Sequence, residues 1–240
     1  MEKFSLYNHS SEEMSEVESS SVDLVVFSPP YNTVACYDSV PDTMDWIEYK
    51  KMMQKVISEC RRVLKESGIL FIESADTVCS HGRYVSLAGM LQKIALDSGV
   101  YLILRNISFV KTNDAIEIPD HGWGEDFIAK RNAHSNIQQH LVFSKQKKVF
   151  AGGQINYFNY PFEHDYNNEN NTNAEHPCPY PKEIINFVLD NYFKEGFVVL
   201  DAFAGTCGLG KEVLKRKGTF IGYDLSKKYL EIGRKKMVFL

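Results

Sequence analysis

The sequence predicts an α/β fold built on a mostly parallel, doubly wound sheet. Short apolar runs rich in Val, Ile and Leu recur along the chain, each too short for a buried helix and each closed by turn residues. Between them lie amphipathic stretches with apolar residues at three- and four-residue spacing. Two of the runs open at their carboxyl ends into loops suited to a ligand, Ser28-Pro29-Pro30-Tyr31-Asn32 and Asp201 to Gly210. Strands alternating with helices in this way indicate βαβ units.

Phe4 to Asn8 reads as the first strand, Ser10 to Glu16 as a brief helix and Ser19-Ser20-Ser21 as a turn. Leu24 to Phe27 is a central buried strand. It must stop at Pro29-Pro30, which lack N–H groups and fix φ. From Thr43 a long helix buries Trp46, Ile47, Met53, Val56, Ile57, Cys60, Val63 and Leu64 and is ended by Ser67-Gly68. Ile69 to Glu73 is the next strand, and Val85 to Leu96 a helix stopped by Ser98-Gly99. Tyr101 to Lys111 and His140 to Phe143 are strands. Residues 112–139 and 146–175 show neither helix nor strand period and read as long functional or mobile loops. A helix over Lys182 to Phe193 precedes the strand Phe197 to Asp201. A helix through Val213 and Leu214 to Lys217, ended by Gly218, leads to the strand Phe220 to Asp224. These make seven strands, enough for one sheet and a single domain over residues 1–240.

Composition narrows the function. The five cysteines are scattered, odd in number and without Cys-x-x-Cys spacing, which argues against a disulfide framework and structural zinc and fits a reducing compartment. The histidines lack metal-ligand spacing, so no metal site is expected. No secretory signal opens the chain and no apolar stretch approaches a membrane span, so a cytoplasmic protein without membrane contact is expected. The net charge of −4 confines any nucleic-acid contact to local basic clusters. The candidates are Lys130-Arg131 and Lys147-Lys148 in the irregular middle region. Lys227-Lys228 and Arg234-Lys235-Lys236, on the last helix, read as a solvated face.

The C-terminal third carries a strand, a Gly-rich turn, a helix, a strand and an acid. Gly205 lets backbone approach a ligand closely, and Asp224 follows at a spacing suited to ribose hydroxyls. The order Gly-x-x-Gly-x-Gly differs from the Gly-x-Gly-x-x-Gly of NAD enzymes.

Ser28-Pro29-Pro30-Tyr31 resembles the catalytic motif of the amino-directed DNA methyltransferases, which act on exocyclic N4 of cytosine or N6 of adenine. Asp201-x-Phe203-x-Gly205-Thr206 looks like their S-adenosylmethionine site. His176-Pro177-Cys178-Pro179-Tyr180-Pro181 resembles the segment that closes over the methionine end of that cofactor. The motif order, catalytic first and cofactor last, is similar to the circularly permuted beta class. Arg61 to Gly68 looks like the family's helix end before its fifth strand, and Gln138 stands where relatives begin a strand with Glu. Where relatives place an Asp after the first strand for the adenine amine, this chain has Asn8-His9-Ser10.

The resemblance implies a Rossmann-like, S-adenosylmethionine-dependent methyltransferase fold with Ser28, Pro29, Pro30 and Tyr31 catalytic. It implies a cofactor site of Asn8, His176, Pro177, Tyr180, Asp201, Phe203, Gly205, Thr206 and Asp224. Double-stranded DNA is the implied partner, with a recognition region within about residues 112–175 and a cognate restriction endonuclease as a candidate companion. Ser28 at the first motif position leans towards cytosine N4. Adenine N6, an RNA or protein substrate, and an inactive cofactor-binding subunit are the alternatives. Pro177-Cys178 resembles the nucleophile motif of cytosine-C5 methyltransferases, but that cysteine follows the central strand, where this chain has Ser28.

Overall fold

A computed structural model describes residues 3–33, 36–38, 40–80, 83–111, 137–147, 162–165 and 178–238. Its main sheet contains β1 (Phe4–Tyr7), β2 (Val22–Phe27), β5 (Leu64–Ala75), β8 (Tyr101–Lys111), β9 (Ile137–Ser144), β10 (Phe162–Asp165), β11 (Val198–Asp201) and β12 (Thr219–Tyr223). Two small hairpins pair β3 (Cys36–Tyr37) with β4 (Val40–Pro41) and β6 (Val78–Ser80) with β7 (Arg83–Val85). The helices are α1 (Trp46–Val63), α2 (Leu87–Asp97), α3 (Lys182–Tyr192), α4 (Gly208–Lys215) and α5 (Lys227–Met237).

The sheet order is β1-β12-β11-β2-β5-β9-β8-β10. All seven expected strands are present, and β10 adds an eighth at the edge, parallel to β8. Pairing is parallel from β1 across to β5, and β9 runs antiparallel to both β5 and β8. β10 falls in a stretch whose sequence has no strand period. Its four residues gain their order from pairing with Ser108 to Lys111.

The central strands are apolar on both faces because helices cover both. Val25 and Phe27 of β2, with Leu70 and Ile72 of β5, pack against Met53, Ile57 and Cys60 of α1 and Leu91 of α2. Leu24, Val26 and Phe71 point the other way, onto Ile184 and Val188 of α3, Leu209 and Val213 of α4 and Met237 of α5. Continuous apolar runs are the signature of such two-sided burial.

Several boundaries differ from the sequence expectation. Residues 10–16 form turns, not a helix. Their polar groups are used elsewhere: Arg62 donates to the Met14 carbonyl at 2.8 Å and the Val17 carbonyl at 2.9 Å. The Met14 N–H in turn donates to Glu59 at 2.9 Å. Helix α1 stops at Val63 rather than at Ser67-Gly68, because Leu64 already pairs with Val22 in the sheet. The carbonyls of Arg62 and Val63 accept from the Ser20 and Ser21 N–H groups at 3.0 and 2.9 Å. Val85 belongs to β7, and α2 begins two residues later. Helix α4 ends at Lys215; Lys217 takes a left-handed φ of 62° before Gly218.

α4 and α5 approach β12 through glycine. A Cβ at Gly210 would stand 2.6 Å from the Phe220 ring and 2.9 Å from Met237 Sδ. Gly210→Val should therefore lower stability by about 1–3 kcal/mol through overpacking. That corresponds to a fall of roughly 3–10 °C in the thermal midpoint of a chain this size. An unchanged midpoint in a melting experiment would contradict this packing.

Candidate active site

The site forms where strands end. β2 and β11 are parallel neighbours, with Val199 opposite Leu24 and Leu200 opposite Val25. Their carboxyl ends therefore deliver Ser28 and Asp201 to one edge of the sheet. The Phe27 and Phe203 rings meet edge-on at 5.6 Å and join the two loops.

Ser28-Pro29-Pro30-Tyr31 leaves β2 and is then fastened from below. The Tyr49 hydroxyl of α1 donates to the Pro30 carbonyl at 2.7 Å, so this carbonyl is engaged by a helix side chain. Asn32 is fully buried with a left-handed φ of 58°, a conformation Asn tolerates better than most residues. Its side chain donates to the Met44 carbonyl and accepts from the Met44 N–H, both at 2.7 Å. Asp42 accepts the Asn32 and Thr33 N–H groups at 2.9 and 3.1 Å. Burial raises the Asp42 pKa. Asn32 was legible only as the end of the Ser28 loop, and Asp42 and Tyr49 were not legible as site residues.

A directed hydrogen-bond chain crosses the loop. Ser28 Oγ donates to Tyr31 Oη at 3.3 Å, and Tyr31 Oη donates to Gln138 Oε1 at 2.9 Å. The Ser28 proton is thereby committed to Tyr31, and its lone pairs are left to accept. Burial, with the Glu73 carboxyl nearby, holds the Tyr31 pKa well above its usual value, so this hydroxyl stays protonated. Glu73, at the end of the fifth strand's apolar run, is 1% exposed, and burial pushes its pKa up to about 8. Sequence reading saw Glu73 only as a strand end. An acid closing a fully apolar strand was the available signal.

The second loop is held by its own carboxylates. Asp201 Oδ1 accepts the Phe203 N–H at 3.0 Å, while its buried Oδ2 has no partner among the described residues. Burial pushes the Asp201 pKa up to about 7, and the Asp224 charge adds to the rise. Gly205 takes a φ of 48°, in the region that favours glycine, and donates its N–H to Asp224 Oδ2 at 2.8 Å. Asp224 Oδ1 accepts the Ser226 N–H at 2.8 Å, and burial raises the pKa of this acid too. Thr206 is half-buried in the turn before α4.

The remaining predicted residues fall as follows. The Asn8 side chain donates to the Asp224 and Leu225 carbonyls at 3.0 and 2.9 Å, bracing the Asp224 loop. Tyr180 lies just before α3, packed against the core beneath that helix. Lys147 is exposed. His176, Pro177, Lys130, Arg131 and Lys148 lie outside the described residues. On α5, Lys228 stands 3.9 Å from Asp38 and Arg234 lies over the Phe4 ring at 5.7 Å, while Lys227 and Lys235 are exposed.

Comparison with known proteins gives the family and the fold. Over residues 22–235 the chain matches the profile of the N6_N4_Mtase family, described as DNA methylase. It is 24% identical over 235 residues to the type II methyltransferase M.HpaI of Haemophilus parainfluenzae, covering 93% of this chain and 70% of that one. The fold is similar to that of the cytosine-N4-specific PvuII DNA methyltransferase, with a TM-score of 0.73 at 16% identity, covering 98% of this chain and 86% of that one. It is also similar to M1.HpyAVI, solved as a complex with SAM, with a TM-score of 0.65 at 14% identity and coverage of 98% and 99%. The chain belongs to the N6_N4_Mtase family of DNA methylases and is an S-adenosylmethionine-dependent DNA methyltransferase acting on an exocyclic base amine.

Proposed function

We propose that this enzyme methylates cytosine N4 at a particular sequence in double-stranded DNA, with Ser28, Pro29, Pro30 and Tyr31 as its catalytic loop. The observation that carries the reading is Ser28, whose proton is engaged by Tyr31 at 3.3 Å, so that its oxygen is an acceptor. An exocyclic amine is a weak nucleophile because its lone pair is delocalised into the ring. Hydrogen bonds from its two N–H groups to Ser28 Oγ and the Pro29 carbonyl draw the nitrogen towards a tetrahedral geometry and free the lone pair. Tyr31 stacks on the base. The target leaves the duplex at a cost of about a few kcal/mol. The rigid loop then contributes positioning, which reaches roughly 7–11 kcal/mol in favourable intramolecular reactions. Adenine N6 is the other chemistry the family name covers.

The residues of the second loop fit the cofactor. The buried Asp201 Oδ2, without a partner among the described residues, suits a cationic or hydrogen-donating group, and Asp224 beside the Gly205 turn suits a ribose diol. S-adenosylmethionine supplies an electrophilic methyl group on a sulfonium. Asp201, Phe203, Gly205, Thr206 and Asp224 hold it in this reading, His176, Pro177 and Tyr180 close over it, and Asn8 braces Asp224. The whole chain serves as one catalytic domain with sequence recognition within residues 112–175, where Lys130, Arg131, Lys147 and Lys148 contact phosphates. A cognate restriction endonuclease and a cytoplasmic site of action complete the reading.

Mass analysis of nucleosides from DNA treated with the enzyme should show N4-methylcytosine. Ser28→Ala should lower turnover at least about fivefold with cofactor affinity unchanged, since a hydrogen bond of this kind is worth about 1–3 kcal/mol. Tyr31→Phe should lose several-fold by freeing the Ser28 proton. Tyr31→Ala should lose more, because base–aromatic stacking is worth about 1–3 kcal/mol. Parent-like rates in both Ser28→Ala and Tyr31→Ala would remove the loop from the chemistry.

Asp224→Asn keeps an acceptor for one of the two clamped N–H groups but removes the charge. It should weaken S-adenosylmethionine binding by about 1–3 kcal/mol. Calorimetry on the folded variant that gives the parent affinity would take Asp224 out of the cofactor site.

A further inference from the structure

Beside the catalytic loop lies a row of buried polar side chains on one face of the sheet. Phe27 pairs with Ile72, so Ser28 stands next to Glu73 one step further along. Glu73 is opposite His140 on β9, and Gln138 follows on the same face of β9, opposite Ala75. Glu73 is 1% exposed and Gln138 is fully buried. Among the described residues, Glu73 Oε1 and Gln138 Nε2 have no hydrogen-bond partner. Both lie by the Ser28–Tyr31 loop: Gln138 Oε1 accepts from the Tyr31 hydroxyl at 2.9 Å, and the β2–β5 register brings Glu73 alongside Ser28. His140 is engaged by Ser108 at 2.8 Å.

Unpaired buried polar atoms are costly, and two beside one catalytic ring call for a ligand that satisfies them. We infer that Glu73 and Gln138 read the Watson–Crick edge of the flipped base and select cytosine over adenine by offering two adjacent donors. This inference rests on the cytosine-N4 reading and deepens it. A base stacked on Tyr31 lies along the line from Ser28 to Gln138, because the Tyr31 hydroxyl touches both. On cytosine that edge runs N4, N3, O2: a donor amine, then two acceptors. The protein runs Ser28, Glu73, Gln138 across β2, β5 and β9: an acceptor, then a carboxyl O–H, then an amide N–H. Burial keeps the Glu73 proton in place at neutral pH, since the pKa is raised to about 8. The Tyr31 donation to Gln138 Oε1 turns Gln138 Nε2 outward as the second donor. Adenine offers an acceptor at N1 but a C–H where cytosine has O2, so Gln138 would stay unpaired. A site that leaves a buried polar group unpaired discriminates against the ligand responsible.

The test uses the full-length enzyme. The parent's methylated sequence is first mapped and its product base identified by nucleoside mass analysis. Duplexes carrying cytosine or adenine at the target position are then compared as substrates. Gln138→Leu should reduce the cytosine-to-adenine rate ratio at least about tenfold, from the loss of one buried donor. Glu73→Leu should cut cytosine methylation at least about tenfold, and Glu73→Gln should restore it to within about threefold, because its amide N–H replaces the carboxyl O–H. Thermal melting and S-adenosylmethionine affinity establish that each variant is folded. An unchanged ratio in Gln138→Leu, or parent-like cytosine methylation in Glu73→Leu, overturns the inference while leaving cytosine-N4 activity standing. A parent that yields N6-methyladenine overturns the cytosine reading itself, and the donor pair with it.

Discussion

The parallel pairing of β2 with β11 is the constraint on which the rest of the molecule depends. Leu24 and Val25 face Val199 and Leu200 across it, although the two strands are far apart in sequence. Without this ladder the Ser28 loop and the Asp201–Gly205 loop would have no common edge. Asp23 reinforces it from both sides. One carboxylate oxygen accepts the Val198 N–H at 2.9 Å, and the other meets Lys65 Nζ of β5 at 2.7 Å. Lys65 and Asp23 are partly exposed, so the ion pair alone is a small contribution. The bond to the Val198 backbone is what fixes β11 against β2 at the start of the ladder. Parallel strands then carry that register to their carboxyl ends without further help.

The same edge gathers acids that the fold keeps from ionising readily. Burial raises the pKa of Glu73, Asp201 and Asp224. A raised folded-state pKa means that the native chain binds more protons than the unfolded chain. These groups therefore favour folding most at low pH. Their contribution is lost as pH rises, for Glu73 between its ordinary value of 4.5 and about 8. The free enzyme thus carries a destabilised edge at neutral pH, of the kind that functional sites tolerate and structural cores avoid. Ligands that supply donors or positive charge to Asp201 and Asp224, and an acceptor to the protonated Glu73, relieve it. Binding and folding are coupled through the same few atoms.

Much of this arrangement was legible because each strand and loop is dictated locally. Pro29-Pro30 must end a strand, and an apolar run such as Leu24 to Phe27 must be covered on both faces. Gly205 and Asp224 fall at a spacing set by one βαβ unit. What escaped is non-local. Residues 10–16 have a helical composition, yet Arg62 and Glu59, more than forty residues away, take their backbone groups. The end of α1 is fixed by Val22 rather than by the Ser67-Gly68 signal, because Leu64 gains a ladder partner there. β10 exists through pairing with β8, with no period of its own. The bonds from the Asn8 amide to two carbonyls of the Asp224 loop were likewise not readable from the sequence. Side-chain capture of distant main-chain groups leaves no periodic trace in a sequence.

That type of bond is also what makes the catalytic loop rigid before any ligand arrives. Two prolines fix φ within the loop, but they do not fix where the loop points. Direction comes from Tyr49 on the Pro30 carbonyl, Asp42 on two N–H groups and the paired Asn32–Met44 bonds. Tyr49 and Asn32 are buried. Methyl transfer to a neutral amine needs no covalent intermediate, so most of the protein's contribution is placement. A displacement of about 1 Å in such a site costs on the order of a hundredfold in rate. In the proposed mechanism the residues that prevent it therefore matter to the rate as much as Ser28, although they act only by holding the loop.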